Sequence, residues 1–357
     1  MEVLRLEGVS KTYYHMGIPV PAVRNVNLVI KKGDFVSLMG PSGCGKSTLL
    51  NLCGVMDYPT KGQILFNGIN LKSLNDGGLT RLRRQKIGFV FQSFNLLPSL
   101  TTIENVALPL LLDGFPSKKA KEKASTLIEL VGLTHRVDHY PQQLSGGEMQ
   151  RVAIGRALIR KPNIFLMDEP LSSLDAKLRE ILRLELKRIQ MEMGATILYV
   201  THDQVEAMTM ADNIGVLNQG MLEQVGTPAE IYNRPCSTYV ASRLGSPRIN
   251  LVPTSLFESE ELPPPGTATL GIRPEDILLK DNHNHPSSKH KSAMTWVEGT
   301  VSSVENLGAE IIIEISVNGE EMQAIADPEK NYYSGENLEL SFLTEKALHF
   351  NQDGQLI

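Results

Sequence analysis

The feature that most constrains the fold is a set of short apolar runs, each followed closely by polar or glycine-rich sequence. The runs are FVSLM (35–39), IFLM (164–167) and TILYV (196–200). Nearly continuous apolar runs of this length are typical of parallel strands that are buried on both faces. Helical patterns at 117–132 and 175–194 lie between them; we expect Ser117 to cap the first, and each segment ends in glycine. The sequence therefore predicts an α/β domain with a mostly parallel sheet.

The pattern of apolar and polar residues changes beyond residue 245. Alternating apolar and polar segments follow at 295–305, 309–317 and 336–343, separated by Gly, Asn and Pro, which is typical of a small β domain. A chain of 357 residues is long enough for two domains. We predict one domain over 1–238 and a second over 239–357. The polar tract at 281–291 contains three histidines, but its composition favours a solvated loop over a metal site.

Composition excludes several classes of protein. No apolar run approaches the roughly 18 residues of a membrane span, and the first residues lack the layout of a signal peptide. Cys44, Cys53 and Cys236 form no CxxC pair, which favours a reducing compartment. The net charge is −5, and the segment from residue 264 to the end carries fifteen acidic against six basic residues. A nucleic-acid partner is not expected, because such a face is basic.

A glycine-rich loop follows the first apolar run. GPSGCGKST satisfies the pattern GxxxxGK[ST] and lies between a predicted strand and a predicted helix. Such a loop wraps phosphates with backbone N–H groups, while its lysine reaches the β- and γ-phosphates and its serine ligates Mg²⁺. The alternative, a turn with a chance lysine, is disfavoured by this setting. The predicted nucleotide ligands are Gly40, Ser42, Gly43, Cys44, Gly45, Lys46, Ser47 and Thr48.

Polar side chains follow the other strands. Asp168 and Glu169 end the run NIFLM, His202 follows the run TILYV, and Gln92 follows IGFVF. Neighbouring strand residues point to opposite faces, so the two carboxylates can serve different tasks. We expect Asp168 to bind Mg²⁺ and Glu169 to act as general base for the attacking water. His202 is predicted to contact the γ-phosphate, and Gln92 to contact Mg²⁺ or the water.

A second glycine-containing turn, Ser-Gly-Gly, occurs in LSGGEMQR (144–151). It also lies at the predicted start of a helix but has no lysine. Ser145, Gly146 and Gly147 would form a second anion site there.

These motifs together resemble those of the ATP-binding subunits of ABC transporters. The phosphate loop, VFQ, LSGGEMQR, LMDEP, LSSLD and VTHD occur in the order of that family. The resemblance implies a P-loop ATPase fold with a helical signature subdomain, ATP and Mg²⁺ as cofactors, and a head-to-tail dimer of two copies. The Ser-Gly-Gly turn would then bind the γ-phosphate held by the other copy. The resemblance also implies Asp175 at the dimer seam and an aromatic side chain on adenine, for which we choose Tyr13 over Tyr14.

Longer segments narrow the resemblance. THDQVEAMTMADNIGVLNQGMLEQVGTPAEIYNRP and GSPRINLVP resemble the ATPases of carbohydrate importers of the maltose type, and LGIRPEDILL resembles part of their accessory oligonucleotide-binding-like (TOBE) domain. That family implies integral membrane permease subunits, a solute-binding protein acting indirectly, and a peripheral position on the cytoplasmic face of the inner membrane.

Two segments depart from that pattern. The stretch 87–114 and the expected loop HMGIPVPA (15–22) look more like ATPases of lipoprotein-extracting and macrolide-exporting systems. The alternatives are therefore the ATPase of another ABC system, for polyamine, sulfate or iron import or for export, and an ATP-gated clamp without a transporter. The clamp is disfavoured because the chain holds one cassette and no long heptad run between the phosphate loop and the signature.

Overall fold

A computed structural model describes residues 1–257, 263–280 and 296–357. The chain divides into two compact units, Met1–Pro228 and Ala229–Ile357. The domain boundary predicted from sequence, between residues 238 and 239, stays a prediction. The histidine-containing tract at 281–291, predicted to be a solvated loop, lies outside the described residues.

The first unit alternates strands and helices as the sequence predicts. Its strands are β1 (Glu2–His15), β2 (Ile18–Lys31), β3 (Phe35–Met39), β4 (Lys61–Phe66), β5 (Ile69–Asn70), β6 (Ile87–Val90), β7 (Ile164–Asp168), β8 (Ile197–Thr201), β9 (Asn213–Asn218) and β10 (Met221–Gly226). Its helices are α1 (Lys46–Cys53), α2 (Asp76–Lys86), α3 (Thr102–Leu112), α4 (Ser117–Leu130), α5 (Gly146–Leu158), α6 (Ala176–Met193) and α7 (Gln204–Met210).

The central sheet of this unit has the order β10-β9-β3-β8-β7-β6. Its pairs from β9 to β6 are parallel, and only β10 runs antiparallel, against β9. The predicted α/β fold with a mostly parallel sheet is confirmed. Parallel strands end at one edge of a sheet, so the loops after β3, β6, β7 and β8 all emerge there.

Both faces of this sheet are buried, and β7 shows how. Phe165 and Met167 pack in the cluster that contains helices α3, α4 and α5. Ile164 and Leu166 point the other way and pack in the cluster that contains α1. The next residue in this alternation, Asp168, therefore lies on the α1 side. The near-continuous apolar sequence of β7 is the consequence of two buried faces.

Helices α3, α4 and α5 form the helical subdomain, in which Val106, Ile128 and Val152 are fully buried. One expectation about its boundaries is wrong. Ser117 was expected to cap α4, but Ser117 is its first helical residue, and Pro116 occupies the cap position without a side-chain hydrogen bond. Proline has a fixed backbone angle and no N–H group, which suits a position where no donor is needed.

A separate antiparallel sheet has the order β2-β1-β4-β5. Its strands β1 and β2 pair along their length up to His15 and Ile18. The segment 15–22 was expected to be a loop, and that expectation is wrong, because it forms the tip of this hairpin and the start of β2. Met16 and Gly17 both adopt positive φ angles there, which lets two residues reverse the chain.

The second unit begins within α8 (Pro228–Asn233), since Pro228 is the last residue of the first unit. Helix α9 (Thr238–Ala241) follows. Described residues from 250 onward form strands, short 3₁₀ turns and loops. The strands are β11 (Asn250–Pro253), β12 (Thr269–Ile272), β13 (Ile277–Leu279), β14 (Val297–Asn306), β15 (Ile311–Val317), β16 (Glu320–Ala326), β17 (Asn337–Phe342) and β18 (Leu348–Phe350). They pair in the orders β11-β12-β18 and β13-β17-β14-β15-β16, with antiparallel neighbours, which fits the predicted oligonucleotide-binding-like fold.

No helix within the described ranges is both long and apolar enough to cross a membrane.

Helix α6 offers a matched pair of leucines for testing the core. Leu182 is fully buried, whereas Leu184 is 72% exposed. We expect Leu182→Ala to lower the free energy of unfolding by about 2–5 kcal/mol, because it removes packed methyl groups and leaves a cavity. Leu184→Ala is expected to change it by about 0.5 kcal/mol or less. Urea unfolding followed by circular dichroism measures both, and equal losses would contradict the placement of α6.

Candidate active site

The loop between β3 and α1 has backbone conformations that only glycine adopts easily. Gly45, the residue before α1, has a φ angle of 104°, and a Cβ atom built there would lie 2.2 Å from the carbonyl oxygen of Ala22. Gly40 has a φ angle of 157°, and its Cβ atom would lie 2.5 Å from the carbonyl oxygen of Leu217. These two glycines let the loop turn tightly beside neighbouring backbone, which presents the amino end of α1 to an anion.

Lys46 lies at the start of α1 and is only 5% exposed. Its Nζ donates to the carbonyl oxygens of Gly40 and Pro41, at 3.0 and 3.1 Å. It also lies 3.9 Å from Glu169 Oε1. The structure therefore fixes the amino group of Lys46 inside the glycine loop, with two carbonyl oxygens and one carboxylate around it.

Ser47 and Asp168 meet across the sheet edge. Ser47 Oγ donates to Asp168 Oδ1 at 3.1 Å. Burial raises the pKa of Asp168, while the Ser47 hydrogen bond opposes this effect and the neighbouring Glu169 charge adds to it. Hydroxyl and carboxylate oxygens are the ligands that Mg²⁺ prefers, together with water and substrate phosphates. The pair fits a magnesium site.

Glu169 leaves the line of β7. Its φ angle is 42°, an uncommon value for a residue with a side chain, and its N–H group donates to the carbonyl oxygen of Val200 at 3.0 Å. Its Oε2 lies 3.0 Å from Nδ1 of His202, which follows β8. The strained backbone thus carries the carboxylate away from Asp168 and towards His202. Strain of this kind is concentrated at functional sites.

Gln92 is joined to this cluster indirectly. Its Nε2 donates to Ser172 Oγ at 3.0 Å, and Ser172 Oγ donates to the carbonyl oxygen of Glu169 at 2.9 Å. Gln92 is exposed and lies two residues beyond β6, so it follows the strand end and does not form it. The structure therefore links Gln92 to the backbone of Glu169 through Ser172, a residue that the sequence analysis did not single out.

Tyr13 lies near the tip of β1 and is 40% exposed, whereas Tyr14 is 71% exposed. The Tyr13 hydroxyl donates to Asp57 Oδ2 at 2.8 Å, and Lys11 lies 4.9 Å from the centre of the Tyr13 ring. Asp57 accepts a further bond from Lys11 at 2.6 Å. The Tyr13 ring is therefore held in place. Local sequence does not reveal this role of Asp57, because Lys11 and Tyr13 are more than 40 positions away.

Ser145 and Asp175 cap helices. Ser145 caps α5 and is exposed, and Asp175 caps α6 by accepting from Leu178 N at 3.0 Å. Gly147 packs closely on α6, because a Cβ atom there would lie 2.5 Å from a methyl carbon of Leu178. Ser145, Gly146 and Gly147 thus start a helix as predicted. The hydrogen bonds of Ser145 join it to Glu148 and Met149 of α5, and the side chains nearest to Gly146 and Gly147 are those of Leu174 and Leu178.

Two domain families match this chain. The ABC transporter family matches residues 23–172, and the TOBE domain matches residues 270–350.

Curated relatives match almost the whole length. The chain is 41% identical over 321 residues to the trehalose/maltose import ATP-binding protein MalK of Thermococcus litoralis, covering 84% of this chain and 85% of that protein. It is 36% identical over 367 residues to the sn-glycerol-3-phosphate import ATP-binding protein UgpC of Yersinia enterocolitica, covering 98% and 97%.

Solved structures agree with these relatives. The dimeric structure of MJ0796, described as a bacterial ABC transporter cassette, shares 43% identity with a TM-score of 0.59, covering 63% of this chain and 98% of that one. The same cassette has been solved in a post-hydrolysis state bound to ADP and Pi.

The chain belongs to the family of ABC transporter ATP-binding subunits, within the importer branch that carries a TOBE domain. It is an ATPase that binds ATP, and its family implies membrane permease partners and a dimeric cassette. The predicted family, fold and ATPase class are confirmed.

Ser47 provides a test of the electrostatics at Asp168. Ser47→Ala removes a hydrogen bond that lowers the pKa of Asp168, so we expect that pKa to rise further above its ordinary value. Carbon NMR of the aspartate carboxyl groups, titrated from acid to neutral pH and assigned with Asp168→Asn, measures it. Ser42→Ala, at an exposed loop serine, is the control and should leave the titration unchanged. A lowered pKa in Ser47→Ala would contradict the described geometry.

Proposed function

We propose that this protein energises an importer of sugars or related carbohydrates by hydrolysing MgATP between two copies of the chain. The observation that carries the proposal is the cluster at one sheet edge, in which Lys46, Ser47, Asp168, Glu169 and His202 are joined by contacts of 3.0–3.9 Å. The carbohydrate assignment rests on the relatives, which are named for trehalose/maltose and for sn-glycerol-3-phosphate import.

The glycine loop and Lys46 would hold the phosphates of ATP. The residues assigned to this task remain Gly40, Ser42, Gly43, Cys44, Gly45, Lys46, Ser47 and Thr48. Lys46 would exchange its loop carbonyls for the β- and γ-phosphates, a charge-assisted contact that is stronger than a neutral one. Tyr13 would stack on the adenine, since its ring is already fixed by Asp57.

Ser47 and Asp168 would hold Mg²⁺, which neutralises charge that develops on the phosphate oxygens. Their oxygens lie together on the α1 side of β7, within reach of phosphates bound at the start of α1. Gln92 is the third ligand proposed from sequence. Its contact to Mg²⁺ or to the attacking water stays a proposal. Its hydrogen bond to Ser172 supports a second role, in positioning the backbone of Glu169.

Glu169 would accept a proton from the attacking water. Its Oε2 faces His202 Nδ1, so the other ring nitrogen of His202 lies on the opposite side of the imidazole. In the imidazolium form both ring nitrogens donate, one to Glu169 and the other to the γ-phosphate. Glu169 and His202 would therefore act as one unit, in which the histidine orients the base and stabilises the phosphate charge. Lys46 Nζ, 3.9 Å from Glu169 Oε1, would help to hold the carboxylate in place.

A second copy would complete each site. Ser145, Gly146 and Gly147 start α5, Ser145 is exposed, and its hydrogen bonds are with residues of α5. Helix starts favour anions, so the signature of one copy would bind the γ-phosphate held by the other. Asp175, which caps α6 at an exposed position, would lie at the seam between the copies.

The remaining partners follow from an import role. Permease subunits would carry the solute, and an extracytoplasmic solute-binding protein would deliver it without touching this chain. The protein would then act at the cytoplasmic face of the inner membrane as a peripheral subunit. The two relatives described above are named as import proteins, which favours import over export. A nucleic-acid partner is not proposed, because the second domain is strongly acidic.

The general-base role of Glu169 has a direct test. Glu169→Gln keeps the shape but cannot accept the proton, so ATP hydrolysis should fall about 10²–10⁴-fold while ATP binding is retained. Steady-state phosphate release and nucleotide titration measure the two quantities. Glu180→Gln, at an exposed position of α6, is the matched control and should keep normal turnover. Normal turnover in Glu169→Gln would remove Glu169 from this role.

Mixed dimers test whether the signature acts across copies. One copy carries Lys46→Ala and the other Ser145→Arg, whose side chain fills the space of the γ-phosphate. In a head-to-tail dimer both lesions fall on one composite site, so the other site stays intact and partial ATPase activity is expected.

The comparison places both substitutions in one copy and pairs it with an unchanged copy. Each composite site then has one lesion, and activity should be lower than in the first arrangement. Two affinity tags allow each dimer to be purified before phosphate release is measured. Equal activity in the two arrangements would show that the signature acts on its own chain.

A further inference from the structure

The signature helix begins beside a buried carboxylate. Glu148, the third residue of α5, is only 9% exposed. Its Oε2 accepts from the Ser145 N–H group at 2.8 Å and from the Ser145 hydroxyl at 2.9 Å. Glu148 and Ser145 thus form a capping box, which fixes the first turn of α5. The carboxylate touches the same serine that the proposed function assigns to an incoming phosphate.

That position poses an electrostatic problem. Burial by itself would raise the pKa of Glu148, but hydrogen bonds from Ser145 and Arg136 lower it to about 2. Glu148 is therefore ionised at neutral pH. An ionised carboxylate that is bonded to the serine assigned to a γ-phosphate would repel that phosphate, and such repulsion is strong where water is partly excluded. A signature with this residue needs a compensating positive charge.

Arg136 supplies such a charge. It ends the 3₁₀ turn Thr134–Arg136, which precedes the signature, and its Nε donates to Glu148 Oε1 at 2.8 Å. The two carboxylate oxygens are thus divided, with Oε1 facing Arg136 and Oε2 facing Ser145. His135 Nε2 also lies 3.8 Å from Oε1, and His139 Nε2 lies 3.1 Å from an Arg136 nitrogen. Among these neighbours, the Arg136 guanidinium makes the direct hydrogen bond to Glu148.

We propose that Arg136 is a positioning residue of the signature, which neutralises Glu148 and so allows Ser145, Gly146 and Gly147 to accept the γ-phosphate held by a second copy of the chain. The proposal rests on the cross-dimer role given to the signature above. It identifies the Arg136–Glu148 pair as a determinant of ATP-driven dimer closure. Arg136 acts through Glu148 and does not itself touch the nucleotide.

A charge-neutralising role of Arg136 predicts a mutational result that a purely structural role would not give. If Arg136 matters because it cancels the Glu148 charge, then removing that charge makes Arg136 dispensable. If Arg136 matters only as a packing group, its loss is as harmful with glutamine at position 148 as with glutamate. A double-mutant cycle separates the two possibilities.

The experiment uses the full chain with Arg136→Ala, Glu148→Gln, the double variant and Arg136→Lys. Dimerisation with the non-hydrolysable analogue AMP-PNP and Mg²⁺ is followed by sedimentation. The KM for ATP is taken from phosphate release, and the affinity of the glycine loop for nucleotide is measured on dilute monomer. Arg81→Ala, at an exposed arginine of α2, is the matched control, and thermal unfolding checks that each variant folds.

We expect Arg136→Ala to weaken nucleotide-driven dimerisation and raise the KM by about 10-fold, which is the scale of a charged hydrogen bond at a partly exposed position. Nucleotide affinity of the monomer should stay unchanged, because the glycine loop is intact. Arg136→Lys should retain most of the function. The double variant should match Glu148→Gln within about twofold, because the coupling energy of the pair then equals the whole effect of Arg136→Ala, about 1.4 kcal/mol for a tenfold change.

Two results would overturn the proposal. One is normal dimerisation and KM in Arg136→Ala, and the other is an equal defect of Arg136→Ala in the Glu148→Gln background. Ser145→Arg distinguishes these results from failure of the proposed function. If Ser145→Arg blocks dimerisation while Arg136→Ala does not, only the Arg136 proposal is wrong. If Ser145→Arg changes neither dimerisation nor KM, the cross-dimer function is wrong and the Arg136 proposal fails with it.

Discussion

Burial of both faces of the central parallel sheet is the constraint on which the rest of the molecule depends. Ile164 and Leu166 of β7 pack towards α1, and Phe165 and Met167 pack towards the helical subdomain. A strand enclosed in this way has no room for an unpaired charge along its length. Charged side chains of these enclosed strands are therefore confined to the strand ends, and parallel strands end together. The chemistry of this protein is concentrated at one edge for that reason.

That edge brings two negative charges next to each other in sequence, and the fold separates them. Asp168 continues the alternation of β7 and meets Ser47, whereas Glu169 leaves the strand with a φ angle of 42° and meets His202. Lys46 is buried, and its Nζ lies 3.9 Å from Glu169 Oε1. Each carboxylate thus has its own partner and its own task. The same logic of one charge matched to one partner recurs at Glu148 and Arg136, in a different part of the unit.

Much of this arrangement is predictable from sequence because the signals are local. The runs at 35–39 and 164–167 and the loop from Gly40 to Ser47 each have a pattern that one strand or one turn can satisfy. Prediction is weaker where a segment has two compatible structures. Residues 15–22 contain prolines and a glycine typical of a loop, yet pairing with β1 makes them part of a hairpin. Helix α4 begins one residue earlier than expected, because Pro116 and not Ser117 takes the cap position.

The sequence by itself determined the fold class, the family and the chemical types at the site, since these depend on periodicity and on motifs of a few adjacent residues. Only the tertiary structure decided which side chains are partners. Asp57 holds Tyr13, Ser172 joins Gln92 to the backbone of Glu169, and Arg136 faces Glu148. The partners in Arg136–Glu148, Tyr13–Asp57 and Gln92–Ser172 are 12 to 80 positions apart, and no local pattern encodes them. They exist because packing of the sheet, helices and loops brings distant segments within hydrogen-bond distance, where direction and charge can select one partner among many.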